Sequence, residues 1–333
     1  MTSATARMKI VEAPQPGGPE ALVLGERPVP QPAAGEVQIR IAAAGVNRAD
    51  VLQRRGVYPP PPGAPDYPGL EVAGTIAALG AGVSEFNVGD AVCALLQGGG
   101  YAEYCCVDSG QVLPIPGALD MVAAASLPEA MFTVWSNVFV FACLGEGESL
   151  LVHGGSSGIG VAAIQLAAAL GHAVFATAGS DDKCRFCESL GAQRAIDYKT
   201  EDFASEVEKA TGGRGVDVVL DMVGGSYVSK NLQVLATDGR LVMIAAQGGA
   251  KGELDVRRIM QHRLVVTGSL LRPRAAQFKR TIRDQLLSKV WPLLASGRIR
   301  PVVDSVFAFG DASRAHARME EGAHKGKIIL AVT

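Results

Sequence analysis

The residues most plainly able to do chemistry are Gly154-Gly155-Ser156-Ser157-Gly158-Ile159-Gly160, set between the apolar run Leu150–His153 and the helix-like stretch 161–167. An apolar strand passing through a glycine-rich turn into a helix aims unpaired backbone N–H groups and the positive end of the helix dipole at one point, where a pyrophosphate fits. On that template Gly155 makes the tight turn, Gly158 lets a diphosphate approach the backbone, and Gly160 lets the helix pack on the strand. Ser156, Ser157 and Ile159 complete the cradle. A strict G-x-G-x-x-G read from Gly155 would require glycine at 157, where this chain has serine. The next apolar run, 172–178, lies where a βαβ unit needs its second strand, so the motif has the context of a dinucleotide site.

The same unit indicates which dinucleotide. NAD sites usually end the second strand on an Asp or Glu, about 20 residues past the glycines, to grip the ribose 2′-hydroxyl. Here Gly179 stands at that place, followed by Ser180, Asp181, Asp182 and Lys183. A small residue leaves room for a 2′-phosphate, which Ser180 can hydrogen-bond and Lys183 can neutralise. The two aspartates read as the solvated first turn of the next helix, where negative charge suits the dipole. NADPH is therefore the expected cofactor.

The elements around this site divide the chain. Its 333 residues are long for one core, and two domains are expected. From about Ser126 to Leu271, candidate strands at Leu150–His153, Ala173–Ala178, Arg194–Asp197, Val216–Asp221, Arg240–Ala245 and Leu264–Ser269 alternate with helical patterns, the signature of a doubly wound parallel sheet. The first third is all-β in texture, with runs at Met8–Val11, Leu22–Arg27, Glu36–Ala44, Val72–Leu79 and Ala91–Leu96. Pro59-Pro60-Pro61-Pro62-Gly63 excludes helix and central strand. After a helical segment over 277–296, short β-like runs return and end in Lys327–Val332. The nucleotide domain is thus inserted between two parts of a mostly-β domain: 1–127 and 272–333 form one, 128–271 the other.

Composition sets the partner class. With 48% hydrophobic residues, 19% charged and a net charge of −2, the chain has no basic signature for nucleic acid or anionic membrane, and a small molecule is the expected partner. Met1–Arg7 reads as a short disordered tail. The stretch from Val134 to Leu144, interrupted by Ser136 and Asn137, is too short to span a bilayer, and a cytoplasmic location is expected. Six cysteines give no disulfide framework. Cys184 and Cys187 form a C-x-x-C without thioredoxin context, which reads as a partly buried helical face.

Several further segments carry a resemblance: Gly17-Gly18-Pro19-Glu20, Gly45-Val46-Asn47-Arg48-Ala49-Asp50, Arg55-Gly56-Val57-Tyr58-Pro59-Pro60-Pro61, Pro68-Gly69-Leu70-Glu71-Val72-Ala73-Gly74, Val88-Gly89-Asp90-Ala91-Val92, Gly98-Gly99-Gly100-Tyr101-Ala102-Glu103-Tyr104 and Gly326-Lys327-Ile328. With the glycine loop they resemble the zinc-independent quinone oxidoreductase, or zeta-crystallin-like, branch of the medium-chain dehydrogenase/reductase superfamily. Segments 94–100 and 269–272 look particularly like its stress-inducible NADPH quinone oxidoreductase subgroup. The resemblance implies an α/β protein with a GroES-like mostly-β catalytic domain and a doubly wound Rossmann domain, NADPH as cofactor, and a homodimer.

It also implies roles for single residues. Asn47 and Tyr58 are expected to polarise the substrate, and Asp50 to order the loop that carries Asn47. Thr133 matches a hydroxyl beside the nicotinamide. Ala245, Ala246 and Gln247, with Leu270, Leu271 and Arg272, are expected to line the nicotinamide pocket. Tyr198 matches a position near the 2′-phosphate, and Lys327 is a weaker cofactor candidate. In zinc-dependent relatives a Cys occupies the place of Asn47 and a His that of Leu70; neither ligand is present, so no metal is expected. Without a Lewis acid, reduction of a quinone, whose negative charge is delocalised, is favoured over alcohol oxidation. The alternatives are an enone or enoyl-thioester reductase and, in a different class, an NADPH-binding structural or RNA-binding crystallin-like protein.

Overall fold

The computed structural model describes residues 6–117 and 119–332. They fall into two compact units: the described residues up to Phe132 with Arg272–Gly297 and those from Pro301 on, and Thr133–Leu271 with Arg298–Arg300. Residues 298–300 return to the second unit because Gln165 holds both the N–H and the carbonyl of Arg300 at 2.9 Å. Of the expected N-terminal tail, residues 1–5 lie outside the described residues. Arg7 belongs instead to the first strand, where its guanidinium meets Glu26.

The first unit begins with an antiparallel pair, β1 (Arg7–Glu12) and β2 (Val23–Pro28). Its main sheet is built on β3 (Glu36–Val46), β4 (Glu71–Leu79), β5 (Ala91–Leu95), β6 (Tyr104–Asp108) and β7 (Val112–Pro114). Val37, Ile39 and Ile41 of β3 are fully buried and Arg40 between them is exposed, but Gln38 and the stretch from Ala43 to Val46 are buried too, so this strand is covered along most of its length. β3 is long enough to serve several partners: β6 along its first half and β4 along most of its length. A helix the all-β reading missed, Arg48–Arg54, follows β3 at once.

The second unit holds β8 (Ser149–Val152), β9 (Ala173–Ala178), β10 (Arg194–Asp197), β11 (Val216–Asp221), β12 (Leu235–Met243) and β13 (Val265–Gly268), all parallel, in the order β10-β9-β8-β11-β12-β13. That order is doubly wound, and it reverses between β8 and β11, where such sheets bind their ligands. β8 and β11 are buried at every position, as expected of strands covered on both faces. The apolar stretch after Thr133 becomes a π-helical segment, Trp135–Phe141, in which the Ala142 N–H reaches the Asn137 carbonyl five residues back.

The chain then completes the first unit. The helical segment 277–296 is two helices, Ala276–Lys289 and Trp291–Ala295, with Pro292 at the start of the second. β14 (Val303–Ala308) and β15 (Lys327–Ala331) are parallel to each other, and β15 joins the far half of β3 antiparallel, with Ile328 opposite Val46.

Candidate active site

In the second unit the expected strand–turn–helix forms around the glycine-rich loop. Ser157 caps the helix Gly158–Ala169, its Oγ accepting the Gly160 N–H at 3.0 Å, which explains serine at a position where the strict motif has glycine. The left-handed φ of +67° falls on Gly154, not on Gly155 as the motif suggested. At Gly160 a Cβ would stand 2.3 Å from the Gly154 carbonyl, so only glycine lets the helix start this close to the turn. Among the described residues the amides of Ser156, Gly158 and Ile159 have no acceptor. A diphosphate is the group that such free N–H donors at a helix start accommodate.

The 2′-phosphate candidates are also brought together. β10 pairs with β9 so that Asp197 faces Ala178, and the Tyr198 N–H donates to the Ala178 carbonyl at 3.1 Å. The Tyr198 hydroxyl lies over Gly179, where a Cβ would meet it at 2.7 Å. Ser180 caps the helix Asp181–Ser189 through the Lys183 N–H at 3.3 Å, which sets Lys183 on the first turn beside it. Asp181 pairs with Arg185 on the exposed face. Cys184 and Cys187 are buried on the other face, and burial pushes their thiols up to about 11 and about 12, which makes them packing groups.

The expected nicotinamide residues Ala245, Ala246 and Leu270 line one pocket of about 510 Å³ with Gly224, Gly249 and Ser269. Gln247 adjoins it, its N–H donating to the Met222 carbonyl at 3.2 Å, and Leu271 is buried. Thr133 is tied to the same pocket. Its carbonyl accepts from Asn137 Nδ2 at 2.8 Å, and Asn137 Oδ1 accepts from Ser269 Oγ at 2.7 Å. Sequence reading missed Asn137. It also missed a buried chain in which His153 meets Thr177 at 3.0 Å and Asn231 at 2.7 Å, and Asn231 donates to Asp221 at 3.0 Å. Asp221 accepts the Val223 and Gly224 N–H groups at 2.6 and 3.1 Å, so this chain fixes the loops at the ends of β8, β9 and β11.

In the first unit strand register assembles a charged cluster. Asn47 follows the end of β3, Glu71 opens β4 on one side, and Lys327 opens β15 on the other. The Lys327 ammonium contacts the Glu71 carboxylate and donates to Asn47 Oδ1 at 2.6 Å, while Asn47 Nδ2 donates to Glu71 at 2.9 Å. All three residues are buried. Glu71 fits because Gly45 has no side chain: a Cβ there would stand 2.1 Å from Glu71 Oε1. Asp50 is fully buried and accepts the Asn47 and Gly69 N–H groups at 2.8 Å each. Burial raises its carboxyl to about 6 against the pull of those two bonds.

Lys327, expected at the cofactor, is thus enclosed within this cluster. Arg272, expected at the nicotinamide, is likewise held inside the first unit. Its Nε donates to the Gln97 carbonyl and its Nη2 to Gln53 Oε1, both at 2.7 Å, and its guanidinium stacks 5.3 Å from the centre of the Tyr58 ring. The remaining amino group, Nη1, is buried without a partner among the described residues. Glu129 adjoins the cluster through its backbone N–H, which donates to Glu71 at 2.9 Å. Lys279 is buried and donates to the Arg272 carbonyl at 3.0 Å, and burial lowers its ammonium to about 8. Glu71 lies in segment 68–74, which carries the family resemblance; Glu129 and Lys279 have no local sequence signal of their own.

This donor set does not fit zinc, which takes thiolate, imidazole or free carboxylate ligands. A carboxamide and an aliphatic chain occupy positions 47 and 70, and the adjoining Glu71 is neutralised by an ammonium. Among the described residues no cluster of three or more His, Cys, Asp or Glu is arranged to hold a metal.

Comparison with known proteins agrees with this architecture. Residues 33–117 match the family model of the alcohol dehydrogenase GroES-like domain, and residues 190–330 that of zinc-binding dehydrogenases. The quinone oxidoreductase of Rattus norvegicus is 32% identical over 99% of both chains. The structure of Escherichia coli quinone oxidoreductase complexed with NADPH superposes with a TM-score of 0.86 at 29% identity, covering 97% of this chain and 100% of that one. The CurK enoyl reductase superposes with a TM-score of 0.84 at 29% identity, covering 98% and 99%.

Proposed function

The chain belongs to the quinone oxidoreductase branch of the medium-chain dehydrogenase/reductase superfamily and is an NADPH-dependent oxidoreductase; from that premise we propose that its acceptors are quinones, reduced without a metal. When bound, NADPH supplies the hydride. The free amides of Ser156, Gly158 and Ile159 take its diphosphate, and Gly179, Ser180, Lys183 and Tyr198 take the 2′-phosphate. Thr133, Ala245, Ala246, Gln247, Leu270 and Leu271 border the nicotinamide. Tyr58 polarises the acceptor oxygen beside Arg272, Asn47 positions the Lys327 ammonium, and Asp50 orders the loop.

The observation that carries this reading is the buried Lys327–Glu71–Asn47 cluster, in which a carboxamide at position 47, where zinc relatives place a ligand, is bonded to an ammonium and a carboxylate. A quinone spreads incoming charge over its own ring, so neutral donors and a fixed cation suffice where an alkoxide would need a Lewis acid. The likeness to an enoyl reductase favours a second reading, reduction of an enone or enoyl thioester. NADPH oxidation measured against ortho- and para-quinones, simple enones and an enoyl thioester decides between them. Turnover largest with the quinones supports the proposal; turnover confined to the thioester defeats it.

Among the described residues no helix is long and apolar enough to cross a membrane, and we place the enzyme in the cytoplasm. The expected homodimer has a candidate contact in the edge strand β13, with its exposed Val265, and the exposed Met260.

A further inference from the structure

We propose that Glu129 is the group that hands a proton to the acceptor as it is reduced, an inference that rests on the acceptor reading above. The other carboxylates of the cluster are committed. Asp50 holds two backbone N–H groups, and Glu71 holds Lys327, Asn47 and the Glu129 N–H. The Glu129 carboxyl has no hydrogen-bond or ion-pair partner among the described residues, although its side chain is only partly exposed. A carboxyl kept this way has its bonding capacity open to a ligand.

Its surroundings hold a substantial fraction of it protonated at neutrality. Burial and the negative charges of Glu71 and Asp50 raise it, Lys327 and Lys279 oppose them, and the balance leaves it at about 7. It lies within electrostatic range of both Tyr58 and Arg272. Arg272 supplies an independent observation. The other buried arginines of this unit, Arg54 and Arg283, are paired with Glu320 and Glu85, whereas Arg272 has, among the described residues, no ion pair and one amino group without a partner. A buried cation lacking its anion is suited to stabilise charge that arrives with a ligand.

The step balances. A quinone that has received a hydride carries the added electron pair as an oxyanion. The Glu129 O–H bond breaks, a new O–H bond forms on that oxygen, and the products are a hydroquinone and the Glu129 carboxylate, which then takes a proton from solvent. With an enone the same proton goes to the carbon next to the carbonyl.

Because the donor must be protonated, kcat for 1,4-naphthoquinone in the wild-type chain falls as pH rises through about 7. In Glu129→Gln that limb disappears and kcat drops about 10²-fold, while NADPH affinity by fluorescence titration is unchanged. Glu129→Asp, which keeps a carboxyl, restores the limb with part of the rate. A flat wild-type profile overturns the proposal whether or not the variants fold. So does a limb that persists in Glu129→Gln, which would belong to Asp50 or Lys279, raised to about 6 and lowered to about 8. If the wild-type chain reduces enones but no quinone, the acceptor reading fails by itself, and the same profiles recorded with cyclohexenone still decide the role of Glu129.

Discussion

The nucleotide loop of the second unit and the charged cluster of the first are built from different materials. The loop uses backbone amides, small residues and a serine cap, all within Gly154–Gly160, and it carries no charged side chain. The cluster uses side chains from the turn after β3 and the Arg48–Arg54 helix, from β4 and β15, and from the Pro128–Val134 and Ala276–Lys289 helices; it brings together two buried lysines, three carboxyl groups and an arginine that has no ion pair among the described residues. A phosphate ester keeps its charge throughout a turnover, so a fixed array of N–H donors serves it. An acceptor gains charge and then a proton, which calls for groups whose own charge is set by burial and by their neighbours. The difference teaches that binding and chemistry impose different sequence signatures, the first local and the second dispersed.

The largest effect should come from disturbing the cluster. Lys327→Met leaves Glu71 buried with an uncompensated charge, and loss of one partner from such a pair costs about 3–5 kcal/mol. Urea unfolding should show that loss, with Glu71→Gln in the same chain recovering most of it. A Lys327→Met midpoint equal to that of the wild type would mean the ammonium is not what neutralises Glu71.

On the nucleotide side the chain should bind NADPH at least tenfold more tightly than NADH, roughly the 1.4 kcal/mol of one charge-assisted phosphate contact. Lys183→Ala should remove most of that preference while leaving NADH affinity alone. An unchanged ratio of dissociation constants would assign the 2′-phosphate to other groups. Smaller again is the effect expected of Tyr58→Phe, which keeps the ring against Arg272 and removes one donor: a fall in kcat of about tenfold or less, with NADPH affinity unaltered. If NADPH affinity falls instead, Tyr58 belongs to binding and the contrast between the two regions blurs.

How far each region could be read from the sequence follows from the same contrast. β9, β10 and β11 lie where their apolar runs predict, because strands covered on both faces announce themselves as continuous hydrophobic runs. The loop motif was legible too, apart from the turn falling on Gly154. The cluster was not, because Asn47, Glu71 and Lys327 meet only through the pairing of β4 and β15 with β3. Asn47, Tyr58 and Asp50 were reached through family resemblance. Glu129 and Lys279 have no pattern of their own, and the partnerless amino group of Arg272 exists only once the chain has folded around it.

The central claim is that a side-chain cation and neutral donors replace the metal of zinc-dependent relatives. Elemental analysis of the purified protein, combined with NADPH–quinone turnover before and after exhaustive chelation, tests it most directly. The account predicts no stoichiometric zinc and undiminished turnover. Activity lost to the chelator and restored by added zinc would contradict it.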